Sequence, residues 1–203
     1  MIEELNILIT GVGGQGVILM SELLGQAAIE EGLKVRGSEI LGMAVRGGPV
    51  VSVIRIGDGV FGPLIPEGKC DIMVGMELAE ALRNIAYLSK SSLAVVNSRK
   101  ILPYTVSLGL SPYPSYEQSL EKLKEAAGQV VVLDGDRLAR EAGSLLSANI
   151  VMLGALLGTG RVPIKPETLK EAIKERFPRQ AEINLKAFEL GYTACRQGAG
   201  KSS

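Results

Sequence analysis

The opening thirty residues constrain the fold more than any other stretch of the chain. Leu5-Asn6-Ile7-Leu8-Ile9-Thr10 is a short, largely apolar run that reads as a buried strand, and it leads straight into Gly11-Val12-Gly13-Gly14-Gln15-Gly16. Apolar residues then recur at 17, 20, 24, 27 and 28, a helical spacing that Gly32 stops. Strand, glycine turn and helix in this order begin a βαβ unit, and Lys34 to Ile40 reads as its second strand. Gly11, Gly13 and Gly16 satisfy G-x-G-x-x-G, in which glycines admit close backbone approach and the N–H groups of the helix start face an anion. A tight turn that meets no ligand satisfies the same spacing. Glu39, at the end of the second strand, takes the place of a ribose-binding acid.

Two features turn the reading away from a self-sufficient nucleotide enzyme. Leu41-Gly42-Met43-Ala44-Val45-Arg46-Gly47-Gly48 is a glycine-broken loop with no room for the helix that a regular dinucleotide half-domain needs next. Val17-Ile18 stand where a phosphate-binding loop requires Lys and Ser or Thr, and Gly200-Lys201-Ser202 has no helix after it. Histidine is absent, which removes histidine bases, Ser-His and Cys-His nucleophile systems and most transition-metal sites. The two cysteines, Cys70 and Cys195, form no C-x-x-C pair, so a Cys-rich zinc site or an in-chain iron–sulfur cluster is not expected.

The rest of the chain reads as a mixed sheet rather than a purely parallel one. Pro49 to Ile56 follows the glycine loop as a strand, and Gly57-Asp58-Gly59 reads as a hairpin turn. With Asn84 that triplet is similar to the metal-diphosphate motif of thiamine diphosphate enzymes, but Ile85 stands where the second Asn belongs. Residues 61–68 form a proline-ordered loop. Strand patterns at Cys70 to Met76, Ser92 to Asn97 and Gln129 to Asp134 alternate with helical ones at Glu77 to Tyr87 and Tyr116 to Ala127, with a loop around Pro103 to Pro114. From Asp136 to about Arg196 the periodicity is helical, divided at Pro166 and Pro178. The expected fold is α/β, three-layer α/β/α, with a mixed, mostly parallel sheet and a helical C-terminal section. Residues 1–197 are expected to form one domain and 198–203 a disordered tail.

Twenty-two basic residues cancel 22 acidic ones, so no overall field draws the chain to nucleic acid or an anionic membrane. No apolar run is long enough to span a bilayer and no export signal opens the sequence, so a cytoplasmic protein is expected. Arg46 with Gly47-Gly48 can gather a guanidinium and backbone donors toward a phosphate or carboxylate, although a salt-bridged surface arginine reads equally well. Asn149, before the apolar run Ile150 to Leu157, reads as a helix cap or a ligand contact. The apolar stripe from Leu169 to Leu190 fits internal packing or a subunit interface, including a homodimer of the isolated chain.

Several of these motifs occur together in one known family. Gly11 to Val17, Ser38-Glu39, Gly42-Met43-Ala44, Arg46-Gly47-Gly48, Pro63 to Gly68, Asn97-Ser98 and Ala148 to Ala155 give the chain a sequence that resembles the gamma component of 2-oxoacid:ferredoxin oxidoreductases. The indolepyruvate branch, in its beta subunit, is the nearest in look. The resemblance covers almost the whole chain. It implies a supporting subunit with no catalytic residue and no metal of its own. Thiamine diphosphate, Mg and the iron–sulfur clusters would sit on partner subunits, ferredoxin would be reached indirectly, and coenzyme A would be a co-substrate. Gly11, Gly13, Gly14, Gln15, Gly16, Glu39, Arg46, Gly47, Gly48 and Asn149 become the candidate cofactor-facing or subunit-facing residues. Leu41 and Val45 depart from the His and Gln usual in that branch, which leaves the 2-oxoacid open between indolepyruvate, ketoisovalerate and pyruvate. An independent dinucleotide-binding oxidoreductase and a non-catalytic binding module of the same fold are the alternatives.

Overall fold

A computed structural model describes residues 3–42, 47–100 and 115–199. A six-stranded sheet, in the order β2-β3-β1-β4-β5-β6, forms its middle layer. These strands are β1 (Leu5–Val12), β2 (Val35–Leu41), β3 (Pro49–Ile56), β4 (Ile72–Gly75), β5 (Leu93–Asn97) and β6 (Gln129–Leu133). β1, β4, β5 and β6 run parallel, whereas β3 is antiparallel to both β1 and β2. The sheet is mixed and mostly parallel, and β2 runs in the direction of β1 with β3 between them.

Period-two alternation along β1 explains why both faces of the sheet are covered. Ile7 and Ile9 face one layer, with Met20 and Leu24 of α1 (Val17–Glu30) in the same buried cluster. Leu8 faces the other, sharing a cluster with Leu78 of α2 (Leu78–Arg83) and Leu123 of α3 (Tyr116–Ala126). Each such fully buried Ile or Leu contributes roughly 1.5–3 kcal/mol. On the α1 side the C-terminal section adds α4 (Gly135–Ala142), α5 (Ala148–Gly158), α6 (Pro166–Arg176) and α7 (Ala181–Ala199).

Every residue of α5 is buried, as expected of a helix that is apolar all round. Its closeness to α7 depends on glycine. A side chain on Gly154 would strike the Phe188 carbonyl, and one on Gly191 the Val151 carbonyl. Leu169, Ala172, Ile173, Ala187 and Phe188 are buried within the chain, so the C-terminal stripe serves internal packing.

Three local expectations are corrected. Gly57-Asp58-Gly59 is not a hairpin turn, because β3 pairs with β2 and β1 rather than with the strand that follows it; Gly57 and Gly59 donate instead to the carbonyls of Lys34 and Glu3. The hairpin is one loop earlier, between β2 and β3. The helix expected from Glu77 to Tyr87 breaks at Asn84, whose side-chain amide donates to the Glu80 carbonyl and the Thr10 hydroxyl, and a 3-10 turn (Ile85–Tyr87) follows. α7 runs to Ala199, two residues into the expected tail. The loop expected at Pro103 to Pro114 and the last four residues of that tail lie outside the described residues.

Candidate functional site

Strand order decides where a ligand or partner can enter. From β1 the chain crosses through α1 on one face, and from β4 it crosses through α2 on the opposite face. The connections diverge at the β1/β4 boundary, so a crevice opens beyond the carboxyl ends of those strands, the usual binding place of an open α/β sheet. Val12 and the glycine turn form one lip, Met76 the other.

The glycine turn is held in shape by three local devices. Gly13 donates to the Gly48 carbonyl at 2.8 Å and Gly47 donates back to the Gly13 carbonyl at 3.3 Å, which joins the β2–β3 hairpin to the turn. Gln15 folds back so that its Oε1 accepts from the Val12 N–H at 2.7 Å, while its Nε2 is buried without a partner among the described residues. Only a glycine at position 11 leaves room for that amide. Gly16, with φ of 78°, starts α1 in the left-handed region, and a side chain there would collide with the Asn149 amide. Among the described residues no side chain caps α1, which leaves the N–H groups of its first turn without a capping partner there.

The structure therefore brings Gly11, Gly13, Gly14, Gln15, Gly16, Gly47, Gly48 and Asn149 together. Arg46 lies outside the described residues. Asn149 is not the helix cap: it is the second residue of α5, while Ser147 takes the cap position and donates its hydroxyl to Asn184. Glu39 is elsewhere. Its strand is separated from β1 by β3, which places it roughly 10 Å across the sheet from the glycine strand. It pairs with Ser52 and is exposed. That spacing denies it the ribose-binding place.

Cavities of about 390 and 560 Å³ flank the turn. The smaller is lined by Gln15, Met76, Asn149, Leu145, Leu146 and Arg99; Arg176 stands in the wall of the larger. The two arginines and the two leucines carry no motif signal in the sequence. Arg99 is legible only as the second residue after β5. Its Nη1 is 3.5 Å from Asp136 Oδ2, and 36% of its side chain is exposed. Asn97 braces this corner by accepting from the Gly135 N–H at 2.9 Å and donating to Asp136 at 3.0 Å.

The described residues at the crevice offer hydrogen-bond donors, and the two cysteines lie apart from them. Burial pushes the Cys70 thiol up to about 12 and the Cys195 thiol up to about 11, so both are protonated at neutral pH and enclosed in the core. Among the described residues no group of three His, Cys, Asp or Glu side chains is arranged to hold a metal ion, and no helix is long and apolar enough to cross a membrane. The crevice presents backbone N–H groups, an amide and a guanidinium, donors suited to a phosphate or carboxylate.

Comparison with known proteins gives the chain a family. Residues 6–194 match the pyruvate ferredoxin/flavodoxin oxidoreductase family. This chain belongs to that family. Among its relatives is indolepyruvate oxidoreductase subunit IorB of Pyrococcus horikoshii, 44% identical over 197 residues, covering 96% of this chain and 98% of that one. The pyruvate/ketoisovalerate oxidoreductases common subunit gamma of Thermococcus kodakarensis is 32% identical, covering 90% and 92%. The gamma subunit of a keto/oxoacid ferredoxin oxidoreductase from Geobacter sulfurreducens, a solved structure, superposes with a TM-score of 0.69 at 25% identity over 94% of this chain and 98% of that one. Within the pyruvate ferredoxin/flavodoxin oxidoreductase family the chain is a gamma-type subunit closely related to the IorB type.

Proposed function

We propose that this chain is the subunit without a redox cofactor in an indolepyruvate-type 2-oxoacid:ferredoxin oxidoreductase. The observation that carries the reading is the end-to-end likeness to IorB subunits, at 44% identity against 32% for the ketoisovalerate type. In the assembled complex a 2-oxoacid and coenzyme A would give acyl-coenzyme A and CO₂, with two electrons passing to ferredoxin. Thiamine diphosphate, Mg and iron–sulfur clusters belong to the partner subunits in this reading, and the complex works in the cytoplasm. Thiamine diphosphate, when bound there, supplies the carbanion chemistry.

The contribution of this chain is position and charge. The glycine turn and the hairpin hydrogen-bonded to it form one lip, and Arg46 precedes Gly47-Gly48 in the sequence. Arg46, the first-turn N–H groups and Asn149 then hold an anionic part of coenzyme A or seat the catalytic subunit. The crevice walls supply no acid, base or nucleophile in this reading. An independent NAD enzyme is the weaker alternative, because Glu39 is displaced by the interposed β3.

Coexpression with a thiamine-binding subunit tests the proposal: the complex is expected to reduce a viologen dye with indolepyruvate and coenzyme A. Preference for a branched-chain 2-oxoacid would move it to the ketoisovalerate type, and micromolar NAD binding by the isolated chain would overturn it. In that complex Arg46→Ala is expected to raise the Michaelis constant for coenzyme A with the fold unchanged.

A further inference from the structure

The described surface holds a larger hollow than either cavity at the glycine turn. α1 turns Met20, Leu23, Leu24, Ala27 and Ala28 inward. Its other side, with Gly25 and Ile29, looks across to β2, and a groove of about 740 Å³ runs between them. Among the described residues β2 is an edge strand, bonded to β3 on one side only, and five of its seven residues are exposed. Ile29 is 65% exposed, with Val35 and Ile54 in the same wall. The floor is made of small residues: apart from its own helix backbone and chain neighbours, no atom of the described residues stands within 4 Å of a Cβ built on Gly25, and one on Gly37 meets only the Val53 carbonyl at 3.5 Å.

Charge decides what can fill it. Glu22, Glu30 and Glu39 line the groove, and among the described residues no Lys or Arg does. A second copy docked about a two-fold axis would set these carboxylates against each other, because an isologous interface pairs a patch with itself. The complementary occupant carries Lys or Arg around an apolar centre.

We infer that the α1–β2 groove, which meets the larger glycine-turn cavity at Glu22, is a docking surface for an apolar, basic-flanked segment of a partner polypeptide. Resting on the function proposed above, the partner is the thiamine-binding subunit of the same complex. Ile29 is the apolar anchor, Gly25 and Gly37 admit the segment closely, and the three carboxylates set its orientation. Glu39 thereby has a role as part of a protein-binding rim rather than a ribose site.

Gly25→Leu tests this directly. The added side chain has open space in the free chain, and Leu is the better helix former, so the variant is expected to melt at or above the wild-type temperature. It should nevertheless fill the groove and weaken binding of the purified thiamine-binding subunit by about tenfold or more, read by titration calorimetry. The double change Glu22→Lys with Glu30→Lys is expected to slow association and to reverse its salt dependence. If the wild-type chain binds the partner and Gly25→Leu binds it equally well, the groove assignment fails while the function stands. If the wild-type chain binds no thiamine-binding subunit, the function and the groove fall together. A wild-type dimer that Gly25→Leu converts to monomer in sedimentation would make the occupant a second copy and overturn the inference.

Discussion

Two arginines on opposite flanks of the sheet are held in opposite ways. Arg55, on β3, has only 11% of its side chain exposed, and every nitrogen of its guanidinium is engaged. Nε donates to Asn6 Oδ1 at 2.7 Å, Nη2 to Glu4 at 2.5 Å, and Nη1 to the carbonyls of Gly62 and Leu64 at 2.8 and 2.9 Å. Arg99, in the crevice, has one long ion pair among the described residues, with Asp136, and 36% of its side chain is exposed. A buried charge with all its donors matched is a fastener, since removing it strands its partners. A charge under-matched at the mouth of a cavity has donors left for another molecule.

That contrast is easiest to break at Arg55. Arg55→Ala should destabilise the isolated chain by about 3 kcal/mol, because it leaves two carbonyls, an amide and a carboxylate facing a void. A urea midpoint close to wild type would show that the 61–68 loop does not depend on the guanidinium. Arg99→Ala should shift the same midpoint by less than about 0.5 kcal/mol. In the reconstituted complex, however, it should raise the Michaelis constant for coenzyme A about tenfold with kcat nearly unchanged, the pattern of lost ground-state binding. An unaltered constant would take Arg99 out of the site.

The smallest expected effect is a response to acid. Hydrogen bonds from Asn6 and then Arg55 hold the Glu4 carboxyl below its ordinary value of 4.5. A depressed carboxylate stabilises the fold above its unfolded value, and that contribution is lost as pH falls through the lower, folded one. Because 39% of the Glu4 side chain is exposed, solvent screens much of the gain. Denaturation midpoints followed from pH 7 to pH 3 should fall slightly more steeply for the wild type than for Glu4→Gln; parallel curves would remove Glu4 from the clasp.

The parts of this molecule that are legible in sequence are those whose signal is local. β1, the glycine turn and α1 follow from apolar spacing and three glycines, and β4, β5 and β6 from short apolar runs bounded by polar residues. What escapes depends on which strands lie side by side. Gly57-Asp58-Gly59 has the letters of a hairpin, but β3 finds its partners on either side of it in space. Glu39 has the right distance along the chain from Gly16, but β3 intervenes, and only strand order reveals that. Arg99 belongs to no motif; it joins the site because β5 ends beside β4. Asn149 reads as a cap because it precedes an apolar helix, yet the helix begins one residue earlier and turns the amide against Gly16.

The placement of β1 also sets an order on synthesis. It precedes both of its hydrogen-bonding neighbours in the chain, β3 at Pro49–Ile56 and β4 at Ile72–Gly75. Until Gly75 has emerged, the apolar run Leu5 to Thr10 has at least one open edge. A nascent chain of this kind carries a sticky strand while residues 11–75 are made, the interval in which a chaperone or a stalled neighbour has the best chance of capturing it.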